Sequence, residues 1–357
     1  MIWIVVILAI LVLRFVEQRW PSYALQFLHF SGKCDQTLAQ PGKPVIWNST
    51  VENYNRLPIP FVRLELRFPN ELIPAKSDPW LQAHSTPGIQ KWHVEERLSL
   101  GTRRGRSRSL TFIPSRRGEF SLGSCRMSIG DLLGFQESSL ELPPVKLVVI
   151  PETAKNNKSV EAVSGFLGDL SVRRFILEDP ILTIGFRDYT GREPMKDVSW
   201  TRTAMTGKLQ VKQYDHTAEQ TVTILLNVEG GSPEELEGAF RQMRSVCEEL
   251  ERRKVPFSMR TNGSLNGPVG KLFHLSEGLG SQHLNSILYS LGRAEYTCYF
   301  GFPRLARTAL DHRKSSESYI VITPHPAETL NQNIRKLEAA SGNPVCILYG
   351  SWEVEQK

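Results

Sequence analysis

The stretch Thr221–Leu250, TVTILLNVEGGSPEELEGAFRQMRSVCEEL, decides how the carboxyl-terminal part of the chain folds. Thr221 to Val228 is a nearly continuous apolar run bounded by turn signals, as a strand buried on both faces requires. Glu229-Gly230-Gly231 breaks it, and Ser232-Pro233-Glu234-Glu235 follows as a capping box. Ser232 is placed at the N-cap, Pro233 at the first helical position, and Glu235 reaches back to the cap. Leu236, Phe240, Met243, Cys247 and Leu250 then recur at three- and four-residue spacing, so the helix buries one stripe.

The same alternation continues downstream. VPFSMRT and KLFHLSEG read as strands, Gln282 to Arg293 as a helix, and Ser318 to Pro324 as a further buried strand. Pro326 opens a helix with Leu330, Ile334 and Leu337 on one face, Gly342 ends it, and PVCILYG supplies a last strand. Repeated βα units imply an open, mostly parallel sheet covered by helices over residues 215–357.

Upstream the period changes to two. In FVRLELRF, Val62, Leu64, Leu66 and Phe68 fall on one face, and Arg63, Glu65 and Arg67 on the other. Several such runs between Pro and Gly predict an antiparallel β-sandwich over 43–151. Its basic run Thr102–Ser109, TRRGRSRS, lacks interleaved aromatics and reads as a solvated hairpin tip. Residues 152–214 read as a connector, from a weakly patterned loop or short helix at Lys155–Asp179 into the charged, aromatic segment Gly185–Asp215. That segment suits an ordered loop or hairpin that pins domains together or faces a partner.

The 357 residues suffice for two domains, and 40% hydrophobic with 22% charged residues is ordinary globular composition. A formal charge of +6 suits a solvated surface or contact with anionic lipid or an acidic protein. Five widely spaced cysteines without a C-x-x-C argue against a disulfide framework and for a reducing compartment; Cys247 and Cys346 read as small core residues. Met1 to Leu13 is uninterrupted apolar sequence, so residues 1–20 are expected to form an uncleaved, marginally long membrane anchor. Arg14 and Arg19 on its carboxyl side place the bulk of the chain in the cytoplasm, as a single-pass protein of the cell membrane.

Catalytic signatures are missing at the motif level. There is no G-x-G-x-x-G, no H-E-x-x-H and no G-x-S-x-G, and Gly270-Lys271 lacks the rest of a phosphate loop. Asp188 and Glu193, beside Arg187 and Arg192, are the one pairing with the composition of an acid/base couple, although charge pairing explains it more simply.

Gly185, Arg187, Tyr189 and Gly191, followed by Asp197, Trp200, Thr203-Ala204, Gly207, Leu209 and Val211, resemble the signature of the bacterial domain-of-unknown-function 58 family. Arg116-Arg117-Gly118-Glu119-Phe120 and Asp131-Leu132-Leu133-Gly134-Phe135 resemble its upstream elements. The sequence departs from the family pattern at Arg192 and Met205, where the family carries aspartate and arginine, and a further family arginine falls near Met195 or Lys196. The resemblance implies a membrane anchor, a β-sandwich and a carboxyl-terminal von Willebrand A-like domain, together an α+β multidomain fold. It also implies a MoxR-type AAA ATPase as partner, and an interaction or assembly role without enzymatic activity, nucleic acid, cofactor or small-molecule substrate. In this reading Tyr189 and Trp200 are packing anchors, and Arg187 and Asp197 are the segment's ion-pairing or hydrogen-bonding members.

A metal-ion-dependent adhesion site in such a domain needs D-x-S-x-S after the first strand. The matching positions here are Asn227, Glu229 and Gly231, a degenerate site from which bound metal is not expected. Two alternatives stay open: a metal-dependent ligand-binding von Willebrand A protein, and an envelope-associated enzyme using Asp188 and Glu193.

Overall fold

The computed structural model describes residues 19–88, 91–130, 137–155, 157–174, 183–191, 193–214, 221–265, 273–312 and 317–354. The expected anchor lies almost wholly outside them, as do Asp131–Phe135, Arg192 and Gly270-Lys271. Among the described residues no helix is long and apolar enough to cross a membrane. The protein is mixed α and β, with a β-sandwich-like part, and it divides into two compact units. One runs through Glu152 and includes Leu288–Arg293; the other holds Thr153–Ile287 and Ala294–Lys357.

The first unit is built mainly of antiparallel strands, with β2 and β12 pairing in parallel. β1 (Leu28–Cys34), β2 (Leu38–Ala39), β3 (Val45–Asn53), β4 (Ile59–Pro69) and β5 (Leu72–Pro74) lead to α1 (Pro79–His84). β6 (Ser85–Thr86), β7 (Lys91–Leu100), β8 (Gly105–Pro114), β9 (Gly118–Leu122), β10 (Ser124–Gly130), β11 (Glu137–Leu142) and β12 (Val145–Val149) follow. The sheet region therefore starts at Leu28, ahead of the Lys43 read from sequence. The sheets have orders β1-β3-β8-β5, β11-β10-β4-β7-β6 and β2-β12-β9. The period-two reading of β4 is realised: Val62, Leu64, Leu66 and Phe68 are buried, and β7 alternates exposed and buried throughout.

One hydrophobic cluster fills the space between these sheets, centred on Trp47 and Phe68, whose rings meet edge to face at 5.5 Å. A Cβ at Gly123, whose φ is +60, would come within 2.6 Å of the Trp47 ring, so only glycine fits that turn. The basic run is split by its environment. Arg103 sits in the turn with φ +50, whereas Arg108 donates to the buried Glu96 at 2.7 Å and lies 3.7 Å over the Trp80 ring. It is therefore only partly the solvated tip that its composition suggests.

The second unit opens with α2 (Lys158–Arg174), a 17-residue helix where the sequence reads as a weak connector. Val163, Phe166, Leu167 and Leu170 are buried along it at helical spacing. Next come β13 (Thr183–Asp188), α3 (Trp200–Thr206) and β14 (Gln210–Tyr214), then β15 (Thr221–Leu226) and α4 (Pro233–Arg252). β16 (Phe257–Thr261), β17 (His274–Gly278), α5 (Ser281–Gly292), whose residues from Leu288 on belong to the first unit, α6 (Phe302–Asp311), β18 (Glu317–Thr323), α7 (Glu328–Ser341) and β19 (Cys346–Tyr349) complete the order. The main sheet has the order β17-β16-β15-β18-β19; β15, β16, β18 and β19 run parallel, with β17 antiparallel at the edge.

Every residue of β15 is buried, as its unbroken apolar run requires of a central strand. Leu225, Tyr319 and Val321 share a core with α6 and α7 on one face. α4 packs against β18 and β19. Its capping box is formed: Ser232 Oγ accepts from Glu235 N, and Ser232 N donates to Glu235 Oε2.

Candidate functional site

In open α/β sheets ligands bind beyond the carboxyl ends of the strands, at the point where strand order reverses. That point lies here beside β15, because α4 carries the chain to β16 on one side and the later β18 pairs on the other. Three strand ends converge there: Asn227 after β15, Asn262 after β16, and Thr323 closing β18, all buried. Asn227 Nδ2 donates to Thr323 Oγ1 at 3.1 Å, which bridges the reversal point. Asn262 Nδ2 donates to Asn227 Oδ1 at 2.6 Å, and that oxygen also accepts from Glu229 N at 3.1 Å. Asn262 Oδ1 accepts from Val228 N at 2.8 Å. The crevice is filled by neutral groups that satisfy one another, the only inexpensive way to bury amides.

The other two positions of the adhesion-site pattern are also engaged. Glu229 Oε2 accepts from Phe302 N at 2.8 Å, where the carboxylate faces the amino terminus of α6. Gly231 lies so close to Pro324 that an added Cβ would sit 2.5 Å from its Cβ. A hard cation wants several oxygen ligands with free lone pairs. Asn227 Oδ1 spends its acceptor capacity on two N–H donors, and the carboxylate of Glu229 points at a helix end. Among the described residues no three His, Cys, Asp or Glu side chains form a group that could hold a metal.

The segment carrying the signature forms a small hairpin. β13 pairs antiparallel with β14, placing Arg187 opposite Val211 and Asp188 opposite Gln210. Between them run a 3-10 turn over Met195–Asp197 and the seven-residue α3, closed by Gly207 in the left-handed region at φ +70. Val198 and Val211 are buried, and the Tyr189 and Ser199 amides donate to Leu209 O and Gln210 O. The loop after β13 is held by Glu193, which accepts from Thr190 Oγ1 at 2.7 Å, Thr190 N at 3.0 Å and Arg187 Nη1 at 2.6 Å. Those Thr190 and Arg187 bonds depress its carboxyl to about 2.

The expected role of Tyr189 and Trp200 as packing anchors needs correction. Trp200 is 60% exposed, at the start of a helix with no buried residue, and does not act as a packing anchor; Tyr189 is half-buried. A seven-residue helix lying over a two-stranded hairpin offers no second layer against which to bury an indole. Arg187, in turn, pairs with Glu193. Asp188 accepts from Gln210 Nε2, so both carboxylates of the suggested acid/base couple are engaged structurally. A general acid needs a raised pKa, and that of Glu193 is lowered. Gly191, at φ +89, supplies the left-handed turn, and Ala204 is exposed on α3. Asn262 was not singled out from sequence, because nothing local in GSLNG or RTNG marks which asparagine will face a neighbouring strand end.

No family model and no curated protein matches the chain. Among solved structures, a CARDB domain from Pyrococcus furiosus in complex with di-metal ions is 11% identical, covering 34% of this chain and 94% of that one, with a TM-score of 0.22. A cohesin module of a Clostridium perfringens family 33 glycoside hydrolase is 15% identical over 34% of this chain and 96% of that one, TM-score 0.24. The sporulation control protein Spo0M of Bacillus subtilis is 13% identical over 53% of this chain and 75% of that one, TM-score 0.20. At TM-scores this low the likenesses carry no argument about site or activity.

Proposed function

We propose that this chain is a non-enzymatic interaction or assembly protein, held at the cytoplasmic face of the cell membrane by its apolar amino terminus and acting with a MoxR-type AAA ATPase. Its carboxyl-terminal sheet is read as a degenerate von Willebrand A-like domain. The observation that carries the proposal is the signature hairpin: an ordered element that leaves Phe186, Met195, Trp200, Met205 and Leu209 exposed, Trp200 by 60% and Met205 by 74%. Soluble surfaces seldom gather that many large apolar side chains in one short segment unless a partner covers them, and Trp and Met are enriched at interface centres. The filled crevice at Asn227 is consistent with a protein that binds through a surface and has no need of a pocket at its strand ends.

Pull-down of the ATPase by the full-length chain in the presence of ATP tests this. Trp200→Ala with Met205→Ala is expected to lower capture at least about tenfold, the scale of a lost interface anchor, with unchanged circular dichroism. Undiminished capture by the double variant, or no capture by the parent chain, refutes the proposal.

A further inference from the structure

The second unit contains a cleft of about 440 Å³ that is separate from the strand-end crevice and from the signature hairpin. Its walls come from the edge of the sheet and from α6. Arg260 and His274 contribute from β16 and β17, Arg304 from α6 and His312 from the cap that ends it, and Phe273 and Phe300 supply the aromatic part.

Three features point in one direction. First, the described lining has four basic side chains and no carboxylate. The guanidinium of Arg304 lies 5.3 Å from the centroid of the Phe300 ring. Second, the basic residues are forced together by regular geometry. Arg260 is the direct cross-strand partner of His274, so the two side chains lie on the same face of the sheet. Arg304 and Thr308, four residues apart, line one face of α6, and His312 follows at its carboxyl-terminal cap. Third, the Phe273 and Phe300 rings, 5.4 Å apart and tilted by 60°, both line the cleft and give it an aromatic wall.

We infer that this cleft binds a small molecule that joins a phosphate group to a flat ring. Arginine forks match the oxygens of a phosphate, and two of them neutralise a dianion. The phenylalanines take up the ring, and the volume lies in the range of small-ligand pockets. The inference stands on the geometry of the second unit and does not depend on the ATPase partner.

The test is calorimetric titration of the full-length protein with phenyl phosphate and, separately, with inorganic phosphate. Phenyl phosphate is expected to bind about tenfold tighter than inorganic phosphate, because only it buries a ring. Arg260→Gln and Arg304→Gln are each expected to weaken phenyl phosphate about tenfold or more, the loss of a charge-assisted hydrogen bond. Arg307→Gln, on the same helix and outside the cleft, is expected to bind as the parent does. Phenyl phosphate is also expected to protect Arg260 and Arg304 of the parent protein from phenylglyoxal modification, a readout that needs no variant. Absence of binding at millimolar phenyl phosphate would overturn the inference. So would equal affinity for the two ligands, or equal effects of all three substitutions.

Discussion

Glu193 accepts hydrogen bonds from Thr190 and Arg187 in the turn after β13, and its carboxyl is held at about 2 against an ordinary 4.5. A carboxylate depressed on folding stabilises the native state fully above its unfolded value, and that contribution is lost as pH falls from about 4.5 towards 2. Carbon-detected titration by NMR should therefore place the Glu193 midpoint near 2, and Glu193→Gln should remove the pH dependence of the hairpin's amide protection in that window. A midpoint in the ordinary glutamate range would contradict the turn geometry. Asn262 is a second residue with more than local reach, because its side chain serves both Val228 N and Asn227. Asn262→Ala leaves the Val228 amide at the end of β15 without its acceptor and is expected to cost about 1 to 3 kcal/mol in urea denaturation. A loss below about 0.5 kcal/mol would mean that water replaces the side chain without penalty.

The βα unit at Thr221–Arg252 is the element whose sequence and structure correspond most closely. The apolar run became a fully buried central strand, and the Ser232 to Glu235 pattern became a reciprocal cap. Ser232→Ala should lower stability by about 1 kcal/mol in chemical denaturation while leaving the m-value unchanged. Two helices were less legible. Gly165 and Gly168 interrupt the apolar stripe of α2, and helical glycine is intrinsically unfavourable, so its 17 residues resemble a connector until packing is known. α6 begins Gly301-Phe302-Pro303, a turn-like opening, although Phe302, Leu305, Ala306 and Ala309 do fall on one buried face. The hairpin shows the converse case: composition suggests buried aromatics, whereas the short α3 leaves Trp200 in solvent.

Across the whole molecule the five thiols report how the cores are distributed. Cys125, Cys247 and Cys346 are buried, Cys34 is half-buried, and Cys298 is exposed; all five are free. Burial pushes Cys34 up to about 11 and Cys125 and Cys346 to about 12, and it raises Cys247 further still. Reaction with an aromatic disulfide reagent at neutral pH should therefore modify Cys298 first and leave the three buried thiols unreacted until denaturant is added, as peptide mass mapping would show. Rapid modification of Cys247 in the native protein would be incompatible with its place on the buried face of α4.

What the sequence determined by itself is what depends on neighbours a few residues away. These are the alternation of β4, the buried run and cap of the first βα unit, the core character of Cys247 and Cys346, and the absence of local catalytic motifs. Periodicity and capping are short-range physics, so they can be read along the chain. Tertiary structure alone decided what depends on residues brought together from afar. It joined Asn227, Asn262 and Thr323 across three strand ends, turned Glu229 to the start of α6, and set Arg260 beside His274 opposite Arg304. It also decided that Trp200 faces solvent. Strand order sets those juxtapositions, and strand order is fixed by how the buried faces pack as a whole, which no single stretch of this chain encodes.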